Sequence, residues 1–107
     1  MDINKVFWHD GLLTSMSLDI DKSGKSKLVL TAELYDDGES AKRNRYKLSC
    51  KGVVRSNLAL DFIELKDNMF AGNISNGYLK NNTLWLYFSD GMLEVTANKF
   101  KINKLTL

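Results

Sequence analysis

His9 and Asp10 stand side by side in Phe7-Trp8-His9-Asp10-Gly11, and Cys50 is the only cysteine of the chain. An imidazole oriented by a carboxylate can act as a general base, and a thiol within its reach would be the nucleophile. Such a thiol must sit partly exposed in an electropositive setting. The alternation around Cys50 instead turns it inward with Tyr46 and Leu48, where it packs as a small hydrophobe. Gly24-Lys25-Ser26 has the ending of a phosphate-binding loop, but position 19 is Asp where that loop requires Gly. The residues that follow alternate as a strand, whereas the loop should open a helix. Asp36-Asp37-Gly38-Glu39 is acidic enough to interest calcium yet lacks the alternating oxygen ligands of an EF-hand loop. One His and one Cys cannot close a zinc site. No catalytic residue, metal site or cofactor is expected, and the chain is read as a non-enzymatic protein.

The cations are more informative. Lys42, Arg43, Arg45, Lys47, Lys51 and Arg55 follow one another with no acid between Ala41 and Ser56. Period-two alternation puts Arg43, Arg45, Lys47 and Lys51 on one strand face, and Trp85 and Tyr87 on the outward face of another strand. A β surface of cations and aromatics can hold single-stranded nucleic acid by neutralising its backbone and stacking its bases. Equally, cations on a strand discourage edge-to-edge aggregation or meet a protein partner. The protein-contact reading is preferred, because fifteen Lys and Arg against thirteen Asp and Glu leave only +2. Folded nucleic-acid modules carry a stronger basic excess. A second alternative is a small-ligand or carbohydrate-binding barrel, with Trp8, Trp85 or Tyr87 lining a pocket. The candidate binding residues are therefore Trp8, His9, Arg43, Arg45, Lys47, Trp85 and Tyr87.

The elements that must position these residues are punctuated by Asp10-Gly11, Ser23-Gly24, Asp37-Gly38, Asn76-Gly77 and Asp90-Gly91, pairs that favour tight turns. Leu12, Thr14, Met16, Leu18 and Ile20 alternate on one face. Leu28, Leu30, Ala32 and Leu34 repeat the rhythm, so the two runs form a hairpin about Asp21-Lys22-Ser23-Gly24. A third run turns Tyr46, Leu48 and Cys50 inward, with a bulge or bend expected at Gly52. Residues 57–65 fit a strand through Leu58, Leu60 and Phe62, and also a helical stripe through Leu58, Phe62 and Leu65; strand is preferred. Residues 69–74 are read as a short strand ahead of an Asn76-Gly77 turn. Leu84, Leu86 and Phe88, then Leu93, Val95 and Ala97, make the last hairpin, and a bulge near Asn98 brings Phe100 and Ile102 inward.

A chain of 107 residues, 44% hydrophobic and 26% charged, has the size and composition of a single globular domain, here spanning 1–107. The expected fold is all-β: an antiparallel sandwich or small open barrel of seven or eight short strands, with room for one short helix near 53–66. With one cysteine and no basic-then-apolar leader, the expected location is the cytoplasm, in bacterial style, and no membrane partner is implied. Asn73-Ile74-Ser75 and Asn81-Asn82-Thr83 are then chance glycosylation patterns. A homodimer is compatible with open strand edges.

Phe7-Trp8-His9-Asp10-Gly11, followed at once by an alternating strand, resembles the start of small bacterial proteins that begin Phe-Trp-His-Asp-(Ser/Gly). Some of those look like immunity proteins encoded beside polymorphic toxins. The resemblance implies a non-enzymatic protein that binds a protein partner, and it carries no catalytic motif.

Overall fold

The computed structural model describes residues 2–105. It is all-β: six antiparallel strands, β1 (Leu12–Ile20), β2 (Ser26–Tyr35), β3 (Arg43–Ala59), β4 (Ile74–Lys80), β5 (Thr83–Phe88) and β6 (Gly91–Lys104), with one short helix, α1 (Phe62–Asp67). A single turn of 3-10 helix, Ile3–Lys5, precedes them. Among the described residues no helix is long and apolar enough to cross a membrane.

The strands lie in the order β1-β2-β3-β6-β5-β4. Every neighbouring pair except β3–β6 is adjacent in sequence, so the sheet is two three-stranded meanders joined along β3 and β6. It curls until its outer strands meet, where Gly11 bridges Ile74. The N-terminal segment continues that closure. Asn4 Nδ2 donates to Leu79 O at 3.0 Å, and Leu79 N–H donates back to Asn4 Oδ1 at 2.8 Å.

One apolar core fills the curl, drawn from both meanders: Leu28, Leu30, Leu34, Leu48 and Cys50 from one side, Leu84, Leu86, Phe88, Leu93 and Val95 from the other. β2 and β5 show the unbroken in-out alternation expected of half-buried strands. The two long strands change their inward parity together. Cys50 and Val53 both face the core, as do Ala97 and Phe100, while Lys51 stays opposite Lys99 and Val53 opposite Ala97. The change falls at Gly52 and Asn98. Gly52 holds φ +63°, and a Cβ there would lie 2.6 Å from Asn98 Nδ2. This is the bend anticipated at Gly52, and it works as a corner that turns β3 and β6 from one half of the sheet into the other. The bulge expected near Asn98 is not there, since β6 stays in register past that position and the register shift lies on β3 between Val53 and Arg55.

Several local expectations are corrected. The strand count is six because β3 runs unbroken through Gly52 for 17 residues. A bulge between Leu13 and Ser15 shifts β1, so Leu13 and Met16 pack on the core, while Thr14 is exposed and donates its hydroxyl to Thr31 O. Residues 57–65 divide between the two readings: the strand persists to Ala59, and the helix then begins because Asp61 caps it, accepting from Ile63 and Glu64 N–H. Residues 69–73 are not strand, and β4 begins at Ile74. Asn76-Gly77 is no turn but the middle of β4. The turn is Asn81-Asn82, with φ of 53° and 59°, the left-handed pair that a two-residue hairpin requires.

Candidate functional site

The predicted binding residues fall into four separate settings. Trp8, expected at a binding surface, is a core residue. It is 4% exposed, its Nε1–H donates to Ile3 O at 3.3 Å, and its ring lies over Gly77, where an added Cβ would come within 3.0 Å of it. His9 is exposed beside β4, with Nε2 3.5 Å from Asp10 Oδ2 and Nδ1 3.4 Å from Ser75 O. Cys50 is sealed in the core, where loss of water contact pushes its thiol up to about 12. His9 and Cys50 thus lie on opposite sides of the protein's surface boundary. Among the described residues, no three His, Cys, Asp or Glu side chains gather as metal ligands do.

Arg43 is tied into the fold. Its Nε–H donates to Asp10 O at 2.9 Å and an Nη to Phe70 O at 3.0 Å, and its guanidinium stands 4.9 Å from the Tyr35 ring centroid. Two of its donors and one face of its plane are thereby directed at protein groups, which makes it a tie between β3, the Asp10 turn and the loop after α1.

Arg45 and Lys47 do lie on the outer face, in company that the sequence did not reveal. Lys27 of β2, Lys51 of β3 and Lys99 of β6 stand directly opposite one another across three adjacent strands. Lys101 shares that face one step along, opposite Ser49, and Lys47 two steps along, opposite Thr31. Asp19 beside Lys27 and Glu33 beside Arg45 are the acids in the paired rows. Among the described residues none of these five lysines forms an ion pair. Like charges opposite one another on a sheet oppose folding. A cleft of about 420 Å³ borders this face, lined by Asp19, Lys25, Lys27 and Lys51 together with Gly52 and Asn98. Gly24-Lys25-Ser26 beside it is a hairpin turn, with Gly24 N–H donating to Asp21 O at 3.0 Å and Asp21 Oδ1 accepting from the N–H groups of Ser23 and Lys25.

Trp85 and Tyr87 face outward as expected, but past the corner. Trp85 is opposite Glu94 and Tyr87 opposite Met92, so the aromatics begin five residues along β6 from Lys99, about 16 Å of strand. Tyr78 of β4 joins them, its ring centroid 5.0 Å from Trp85 and 6.3 Å from Tyr87, with planes within 26°. At those spacings the rings stand on edge and cover one another's faces. Trp85 Nε1–H donates to Glu94 Oε2 at 3.0 Å, and Asn57 Nδ2 donates to Glu94 Oε1 at 3.1 Å.

Comparison with protein-family models, with curated proteins and with solved structures finds no match. The chemistry of the surfaces therefore carries the functional argument. Sequence reasoning missed Lys27, Lys99 and Lys101, whose outward parity was readable but whose adjacency to Lys51 depends on the pairing of distant strands. It missed Tyr78 for a local reason: a turn at Asn76-Gly77 leaves Tyr78 outside any strand, whereas it lies within β4.

Proposed function

We propose that this chain is a non-enzymatic protein-binding module of the cytoplasm that lays its lysine face on an acidic surface of a partner protein. The supporting observation is the in-register row Lys27–Lys51–Lys99, flanked by Lys47 and Lys101 and without ion-pair partners among the described residues. The row opposes folding, and an anionic surface would relieve that cost on binding. A single-stranded nucleic acid would need stacking faces beside the cations. Here the aromatic cluster lies past the corner, stacked on itself and bonded to the carboxylate of Glu94. A carbohydrate pocket built from Trp8, Trp85 or Tyr87 has little support, because Trp8 is in the core and none of the three lines the clefts beside β2 and β3. An immunity-type role, neutralising a partner by covering it, fits such a face. The Phe7–Gly11 segment on which that resemblance rests serves the fold through Trp8.

Affinity capture from the cells of origin, after nuclease treatment, tests the proposal with the wild-type chain and a Lys51→Glu/Lys99→Glu variant. The wild type should retain an acidic protein that is released by high salt. The variant should bind it more weakly by on the order of tenfold or more. Recovery of nucleic acid alone, or of a partner held equally by the variant, would overturn it.

A further inference from the structure

β3 is paired on both sides only over its first half. Its contact with β2 ends at Lys27–Lys51, while its contact with β6 continues to Ala59–Met92. Residues 54–59 therefore form a sheet edge within the middle of the strand order, and all six are exposed. Outside the ladders, the nearest backbone contact on that side is Ser26 Oγ donating to Val53 O at 2.7 Å. Among the described residues, no backbone group of 54–59 is bonded beyond the β6 ladder.

Exposed strand edges in native proteins carry Lys, Pro or inward-pointing charge that deters pairing. This one has a bulge at its start and a single charge, Arg55, which projects from the outer face opposite Thr96. The remaining residues are Val54, Ser56, Asn57, Leu58 and Ala59. The apolar exposure also continues past the edge. Val54, Phe62 and Ile63 are 73%, 74% and 72% exposed and Leu58 is 49% exposed, and α1 buries none of its residues.

We infer that residues 54–59 pair antiparallel with the same segment of a second copy of this chain, giving a two-fold dimer whose sheet is continuous across the interface. An identical edge supplies matching donors and acceptors, as an isologous contact requires. The charges also permit it. With the axis at Ser56, Arg55 faces Asn57 and Val54 faces Leu58; with the axis at Asn57, Arg55 faces Ala59. Neither register opposes like charges. Phe62 and Ile63, just beyond the edge, are placed to cover the new pair with apolar surface. The edge and the lysine face lie on opposite sides of the Gly52–Asn98 corner, so this dimer is independent of the proposed acidic partner.

Sedimentation equilibrium over a concentration series is the first measurement. The wild type should be dimeric, Leu58→Lys should weaken association at least about tenfold, and Lys51→Glu/Lys99→Glu should sediment as the wild type does. Ser56→Cys or Asn57→Cys should yield a covalent dimer under mild oxidation, since Cys50 is buried and does not compete. If Leu58→Lys fails to fold by circular dichroism, the cross-link and the concentration-dependent protection of the 54–59 amides decide alone. A wild type that stays monomeric, a dimer indifferent to Leu58→Lys, or failure of both cysteine variants to cross-link would overturn the inference.

Discussion

Asp36 ties three strands at one end of the sheet. It accepts from Lys104 Nζ at 2.8 Å, from Asn44 Nδ2 at 3.0 Å and from the Tyr46 hydroxyl. The Lys104 ammonium first, then the Tyr46 hydroxyl, hold its carboxyl below the usual 3.8. Tyr46 moves the other way: burial, and then the carboxylate it donates to, push its phenol up to about 12. A depressed carboxyl contributes stability above its unfolded value and loses it as pH falls through the folded value. A raised phenol contributes below pH 10 and loses it as pH rises toward 12. Urea unfolding of the wild type and Asp36→Asn across pH 2–7 should therefore show the variant less stable at neutrality, with the gap closing below about pH 4. Absorbance at alkaline pH should show Tyr46 ionising earlier in the variant, which lacks the carboxylate, than in the wild type. None of this network was legible in the sequence, where Asp36 reads only as part of an acidic run without the ligand pattern of a calcium loop. By contrast, the inward side of Cys50 was legible, because parity alone decides it.

At the level of elements, legibility followed local chemistry. β2 and β5 were readable because each keeps strict alternation against one core. Asp61 stops β3 and starts α1 by accepting two N–H groups, a competition between strand and cap that a hydrophobic stripe does not reveal. Asn76-Gly77 misled because glycine has a second use: inside β4 it makes room for the Trp8 ring. The double asparagine that does make the turn was passed over. The corner at Gly52 is the element most sensitive to substitution. Gly52→Ala should cost about 1–2 kcal/mol for a side chain in left-handed backbone, and ~1 kcal/mol or more for crowding Asn98. Adding Asn98→Ala removes the amide that a Cβ would strike but keeps the Asn98 Cβ at 3.1 Å. It should therefore recover most of the crowding share and leave the backbone share, which denaturant titration of the two variants would separate.

For the molecule as a whole, the sheet order was not legible, because parity says which way a side chain points and not which strand lies beside it. The lysine row is the clearest case: Lys27, Lys51 and Lys99 become neighbours only through the pairing of β3 with both β2 and β6. The candidate site thus resides in the long-range register. Of the residues nominated from the sequence, Arg45 and Lys47 lie on that outer face, while Trp8 goes to the core, His9 to the edge of β4, Arg43 to a backbone tie, and Trp85 and Tyr87 to the aromatic cluster.

The strand order has a consequence for the continuity of the chain itself. Everything before α1 is one meander and everything after the following loop is another, joined by the β3–β6 ladder and the Gly11–Ile74 closure. The peptide linking them at residues 68–73 contributes no strand. The two halves should therefore behave as complementing fragments: pieces 1–69 and 70–107, produced separately and mixed, should reunite one to one. Trp8 belongs to the first piece and its seat, Gly77, to the second, so a blue shift of Trp8 emission in a Trp85→Phe background would report the reunion. Absence of both that shift and a gain in strand signal on mixing would show that covalent connection is needed to bring the halves into register.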